Sequence, residues 1–140
     1  MTISAEEFKA RLLQLGLGEE WEWSNNSWWQ KQESASVRAT SALMVQTGAR
    51  FIAITAIETP EKEIRLDYQW DLDGQLLSFT TATTAQKIAT IADLCPAADW
   101  VERETHEYFA VEFTGRRTTL PLMTRPGDPI GINLHKEVAQ

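Results

Sequence analysis

Cysteine is almost missing from this 140-residue chain. Cys95 is the only one, so the chain by itself can close no disulfide and cannot supply the thiolates of an iron–sulfur cluster or a structural zinc site. Positive charge is also short: 13 Lys and Arg stand against 20 Asp and Glu, for a net charge of -7. That balance works against phosphate backbones and anionic lipid surfaces, so no nucleic acid is expected as a partner. Long apolar runs are lacking. The best, Phe51 to Ile57, is far too short to span a bilayer, and the opening Met1 to Glu7 has neither the basic region nor the apolar stretch of a secretory leader. A soluble, cytoplasmic chain is the expectation. The seven glycines are scattered and form neither G-x-G-x-x-G nor the Walker spacing, which removes the usual phosphate cradles. What is present is ordinary globular composition, 43% hydrophobic and 24% charged, in a chain long enough to bury roughly 65–70% of its unfolded surface in one core.

The patterning predicts an α+β fold: an antiparallel sheet, a meander of at least three strands, packed with about three helices and followed by an irregular C-terminal arm. Ser4 and Glu7 have capping-box spacing ahead of Phe8, Leu12, Leu13 and Leu15, with Gly16 as a stop, which predicts a helix over 5–15. Val37, Leu43 and Met44 before Gly48 predict a second helix over 36–47. Residues 50–57 are apolar on both sides, as in a central strand covered on both faces or a short buried element. Ile64, Leu66, Tyr68, Trp70 and Leu72 then alternate with Glu63, Arg65, Asp67, Gln69 and Asp71, the period of a strand with one wet face over 63–72. Asp73-Gly74 is a primed hairpin turn into a return strand over 75–82. Residues 84–95 fit a helical turn or an extended segment equally well. Pro96 and the spacing of Asp99 and Glu102 announce a third helix over 97–111. The expected organisation is one domain over 1–115 with an arm over 116–140, where Pro121, Pro126 and Pro129 interrupt Leu120, Leu122, Met123, Ile130 and Ile132.

The third helix concentrates ionisable and aromatic side chains. At about 100° per residue, Trp100, Val111, Ala97, Tyr108 and Val101 form an apolar arc with Glu104 in its middle, while Glu102, Arg103, His106 and Glu107 fall on the polar side. A carboxylate facing a core needs a cation and hydrogen-bond donors, because its desolvation costs several kcal/mol. Glu104 therefore calls for Arg38, Arg50 or Arg65 as an internal partner, or for another protein chain that completes the arc. Four of the six tryptophans crowd positions 21–29 around the polar turn Ser24-Asn25-Asn26-Ser27. Trp28 and Trp29 must point to opposite faces of a strand, so at least one tryptophan is expected to be partly exposed. Cys95 has no neighbouring basic cluster to lower its pKa and reads as a packing residue. Arg116, Arg117 and Arg125 read as solvated charge or as cations for an acidic partner.

Pro96 to Glu104, with Trp100-Val101-Glu102-Arg103-Glu104 at its core, and Glu107 to Gly115 resemble the signature of the C-type subunit of NADH:quinone oxidoreductase, respiratory complex I. The same motif marks the equivalent small subunits of energy-converting [NiFe] hydrogenases and formate hydrogenlyase. Gly48-Ala49-Arg50-Phe51 and Leu66-Asp67-Tyr68 follow the family's ordering, so the resemblance spans about residues 35–115. Ala110 replaces the usual Gly after Phe109, and Arg116-Arg117-Thr118-Thr119-Leu120 stands where His-Pro and Leu-Arg-Arg are expected. These departures, with the missing basic terminal motif, bring the chain nearer to the shorter D-type subunit of Ech-type energy-converting hydrogenases.

The resemblance implies a cofactor-free subunit, not catalytic alone, in the hydrophilic arm of a membrane-associated oxidoreductase complex. It would pack against the large subunit holding the [NiFe] centre or quinone-site counterpart and against iron–sulfur subunits, reaching the inner face of the membrane only through them. Trp100, Glu102, Arg103, Glu104, Tyr108 and Phe109 are then interface or structural residues. In that expectation Glu104 points inward, Glu102 and Arg103 face a partner or water, and the aromatics anchor packing. Two readings from other classes stand beside it: a metal-dependent enzyme using Glu102, His106 and His135, and a small-ligand module built on the tryptophans.

Overall fold

The computed structural model describes residues 4–83, 85–116, 122–125, 127–132 and 134. The chain begins with helix α1 (Ala5–Gln14), whose Ser4 and Glu7 exchange the two reciprocal bonds of a capping box, a device worth about 1 kcal/mol. Strands β1 (Glu22–Ser24) and β2 (Ser27–Lys31) follow, then helix α2 (Val37–Gln46) after a short 3-10 turn. The meander is β3 (Arg50–Glu58), β4 (Ile64–Leu72) and β5 (Gln75–Ala82). A short β6 (Lys87–Ala89), helix α3 (Ala98–Phe109) and β7 (Glu112–Thr114) complete the described elements. The fold is α+β, with a mainly antiparallel five-stranded sheet and three helices, as the patterning predicts.

The sheet runs β1-β2-β5-β4-β3. Two features escape a hairpin-by-hairpin reading. β2 lies parallel to β5, with Trp28 opposite Leu77, and β6 lies parallel to β7, with Ile88 opposite Phe113. The ambiguous stretch 84–95 thus holds a short strand. β3 is the outermost strand rather than a central one: Phe51 and Ile54 turn inward while Ile52 and Ile57 remain exposed. A run apolar on both sides does not require cover on both sides.

Both tight hairpins obey the steric rule for primed turns. Asn25 and Asn26 between Ser24 and Ser27, and Asp73 and Gly74 between Leu72 and Gln75, all have positive φ, the conformation whose twist matches paired strands. One sheet face carries Ile64, Leu66, Tyr68, Trp70 and Leu72, all buried. These side chains form one core with Phe8 and Leu12 of α1, Val37 and Met44 of α2, and Ala98 of α3. On the other face Arg65, Gln69 and Asp71 are half-buried, but Asp67 is buried. Its carboxylate accepts from Arg65 Nε at 3.1 Å, Arg65 Nη2 at 2.9 Å and Thr80 Oγ1 at 2.9 Å.

Within β2, Trp28 and Trp29 follow the alternation rule. Trp21 and Trp28 are buried, whereas Trp23 is 54% exposed and Trp29 half-buried. Cys95 is a free thiol, half-buried against the core.

Candidate functional site

Helix α3 carries the signature residues and sits beside β3. Its inward stripe is Ala98, Val101, Glu102, Thr105 and Phe109, the i, i+3, i+4, i+7, i+11 spacing of a helix laid on a sheet. This overturns the expected orientation. Glu104 is exposed, Glu102 is 0% exposed, and Trp100 is 67% exposed and so does not anchor packing. Phe109 packs against the core as expected, and Tyr108 and Arg103 are half-buried. A projection weighted by apolar side chains favours Trp100 and Tyr108 and penalises a face containing Glu and Thr. The polar atoms of that face are satisfied by groups far away in sequence, which no helical wheel contains.

Glu102 is the hub of that inner face. Its Oε1 accepts from Thr90 Oγ1 at 2.5 Å and from Arg116 Nη1 at 2.8 Å, and its Oε2 accepts from Ile91 N–H at 2.8 Å. Arg116, its side chain only 8% exposed, also pairs with Asp99, which Arg103 approaches at 3.8 Å. Burial pushes the Glu102 carboxyl above its ordinary range, against the pull of Ile91, Thr90 and Arg116. Arg116 is therefore not solvated charge: it is the cation that a buried carboxylate on α3 requires. Asp99 serves it from the first turn of the helix, whose N-cap is Ala97 with no side-chain cap bond. Arg38, Arg50 and Arg65, the candidate internal cations for Glu104, pair instead with Asp93, Asp71 and Asp67.

Thr90 and Ile91 belong to the segment after β6, and Arg38 fixes that segment from α2. Its Nη1 donates to Thr90 O at 2.8 Å, and its guanidinium makes a bidentate pair with Asp93 at 2.7 and 2.6 Å. Through one carboxylate, α3, the exit of β6 and the exit of β7 are tied together.

Glu107 is the second buried acid, 2% exposed on the opposite side of the helix. Its carboxylate accepts from Leu122 N–H and from Met123 N–H, the latter at 2.9 Å, and its carbonyl accepts from Gly131 N–H at 2.7 Å. Burial alone would raise it, but the donors of Met123, Leu122 and Thr124 outweigh burial and hold it below the usual glutamate range. The helical projection puts Glu107 on the polar side, but the structure buries it. No local signal marks it, because its donors are backbone groups.

The helix ends with Ala110 in the left-handed region, φ 56° and ψ 31°, which gives a steric reason for the Gly usual at this place. His106 Nδ1 lies 2.9 Å from Val111 O; since a carbonyl only accepts, Nδ1 carries the proton.

The metal-enzyme reading loses its first ligand, because Glu102 is fully engaged by Thr90, Ile91 and Arg116. Among the described residues there is no group of three or more His, Cys, Asp or Glu able to hold a metal ion. His135 and Arg117 lie outside the described residues. Near the tryptophans is an open groove of about 630 Å³ lined by Glu20, Trp21, Trp29, Lys31 and Arg65 among others, with Arg65 already committed to Asp67. No helix among the described residues is long and apolar enough to cross a membrane.

The model of the family described as respiratory-chain NADH dehydrogenase, 30 kDa subunit, matches residues 31–139. The chain belongs to that family. Two curated relatives, both C-type subunits of NADH-quinone oxidoreductase, agree with the assignment. The protein from Rhodopseudomonas palustris (strain BisB18) is 29% identical over 86 residues, 56% of this chain and 43% of its own length. That from Ruegeria sp. (strain TM1040) is 31% identical over 93 residues, 61% of this chain and 46% of its own. The chain thus spans a little under half the length of these relatives. Among solved structures, a chain of the membrane-bound sulfane sulfur reductase, an archaeal respiratory membrane complex, superposes with a TM-score of 0.73 at 23% identity. That match covers 86% of this chain and 78% of the other. A trypsin-resistant fragment of Nqo5 gives 0.62 at 16% identity, over 78% and 97%. At these identities the two structures show a shared fold alone.

Proposed function

We propose that the chain is a cofactor-free assembly and stabilising subunit in the hydrophilic arm of a membrane-associated oxidoreductase complex of the NADH:quinone oxidoreductase or energy-converting hydrogenase kind. It is not catalytic alone. It packs against the large subunit that holds the [NiFe] centre or its quinone-site counterpart and against iron–sulfur subunits, and it meets the cytoplasmic face of the inner membrane only through them.

One observation carries this reading: in a chain matched to the 30 kDa subunit family over 31–139, the most deeply buried signature acid, Glu102, spends its hydrogen-bonding capacity on the chain's own Thr90, Ile91 and Arg116. A carboxylate that accepts three bonds from its own chain and is 0% exposed organises structure rather than facing a substrate. The replacement of the Leu-Arg-Arg stretch by Arg116 to Leu120 supports the shorter hydrogenase type within the family.

The test is purification of the tagged chain from its native cell. Recovery with a large subunit and iron–sulfur subunits in the membrane fraction is the expected result. Recovery of the chain alone, or with a stoichiometric transition metal of its own, would end the reading.

A further inference from the structure

Of the apolar arc that the sequence places around Glu104, Val111 is buried and Val101 packs against the core, while the part formed by Ala97, Trp100 and Tyr108 is open to solvent beside Glu104. Trp100 is 67% exposed, Ala97 is exposed, and Val101 and Tyr108 are half-buried. Glu104 lies among them, exposed, one turn after Trp100 and one turn before Tyr108 on the same side of the helix. Neighbouring acids have partners: Asp99 pairs with Arg116 and Arg103, Glu102 with Arg116, and Glu107 with the backbone of 122–123. Glu104 makes no ion pair or side-chain hydrogen bond among the described residues.

We propose that this open part of the arc is a contact face for a different protein chain that carries an Arg or Lys within an apolar patch, the cation meeting Glu104 and the apolar groups covering Trp100. The inference rests on the assembly reading above and adds the place and chemistry of one contact. Charge complementarity selects the occupant. An apolar surface closing over Trp100 also takes Glu104 out of water, and a desolvated carboxylate needs a cation beside it. A purely apolar or acidic partner would leave that charge unmatched. Trp supplies large contact area with little rotamer entropy to lose, which is why it dominates many interface centres. A second copy of this acidic chain would bring a second Glu104 or other carboxylates to the face, so a different, locally basic chain fits better.

The experiment uses the full-length tagged chain in place of the native copy. A photo-crosslinking residue, p-benzoylphenylalanine, replaces Trp100, with Trp23, exposed at the sheet's far end, as the control position. The expected result is an adduct from position 100, absent from position 23, to a co-purifying chain whose crosslinked peptide contains an Arg or Lys. Glu104→Arg should lower recovery of that chain about tenfold or more, a loss of hot-spot size. Because Glu104 is exposed, the melting temperature of the purified variant should stay within about 2 °C, and Glu substituted for the crosslinked cation should restore recovery. The inference is overturned if the complex co-purifies but position 100 gives no adduct or an adduct to a second copy of this chain. It is equally overturned if Glu104→Arg is recovered with its partner as well as the wild type. If the wild-type chain brings down no partner at all, the assembly reading fails and this contact fails with it.

Discussion

Glu102 and Glu107 share one helix, and both are almost wholly buried, yet they are held by different means and shifted in opposite directions. Glu102 faces the sheet and meets a hydroxyl, one backbone N–H and a guanidinium; there burial prevails and the carboxyl is raised. Glu107 faces the segment 122–131 and meets mainly backbone N–H groups; there the donors prevail and the carboxyl is lowered. Two buried acids of the same type can thus serve as an internal tie and as a clamp for a crossing segment. The balance between burial and the donors that meet each carboxyl, rather than exposure alone, decides the direction of its shift.

Removing either member of the Glu102–Arg116 pair should have the largest effect, because it strands a buried charge. Glu102→Ala or Arg116→Ala is expected to cost about 3–5 kcal/mol in urea denaturation. The double variant should cost less than the sum of the two. Strict additivity would mean that the two groups do not act as a pair.

Glu107→Gln should be milder, about 1.5–3 kcal/mol for a charged acceptor, and local. Limited proteolysis near residues 122–125 should accelerate more than global unfolding does. The pH dependence separates the two acids further. A lowered folded pKa means that the Glu107 contribution is present above the ordinary glutamate range near 4.5 and is lost as pH falls through its folded value. A raised folded pKa means that the Glu102 contribution is complete below that range and is lost as pH rises through its folded value. Glu107→Gln should flatten the acid-side fall of the urea midpoint, whereas Glu102→Gln should steepen it. Identical pH profiles for both variants would erase the distinction between the two acids.

The smallest effect belongs to the end of the helix. Ala110→Gly relieves a left-handed alanine, worth about 1–2 kcal/mol, but adds backbone entropy to the unfolded chain, about 0.5–1 kcal/mol. A net gain of about 0.5–1 kcal/mol, seen as a modest rise in melting temperature, is expected; a loss would show that contacts of the Ala110 methyl outweigh its backbone strain.

Local signals explain what the sequence made legible. The capping box at Ser4 and Glu7, the alternation of Ile64 to Leu72 and the Asp73-Gly74 turn each encode their geometry within a few residues. The parallel pairing of β2 with β5 does not, because residues 28–31 meet 77–80 only in the folded chain. The same holds for α3. Ala98, Val101, Thr105 and Phe109 have the spacing of an inward stripe, but the stripe also contains Glu102, whose burial is possible only because Thr90, Ile91 and Arg116 surround it. Long-range satisfaction of polar groups is the information a helical wheel omits. It misplaced Glu102 and Glu104 together.

The first thirty residues lie outside the stretch shared with the 30 kDa subunit family, yet the tryptophan hairpin they mostly build seals the outer hydrogen-bonding row of β5. Without it β5 would present an open edge of unpaired N–H and C=O groups, the usual template for unwanted strand addition between chains. A segment largely outside the family match thus moves that edge of the sheet from the eight-residue β5 to the three-residue β1, and a shorter edge strand is a poorer template.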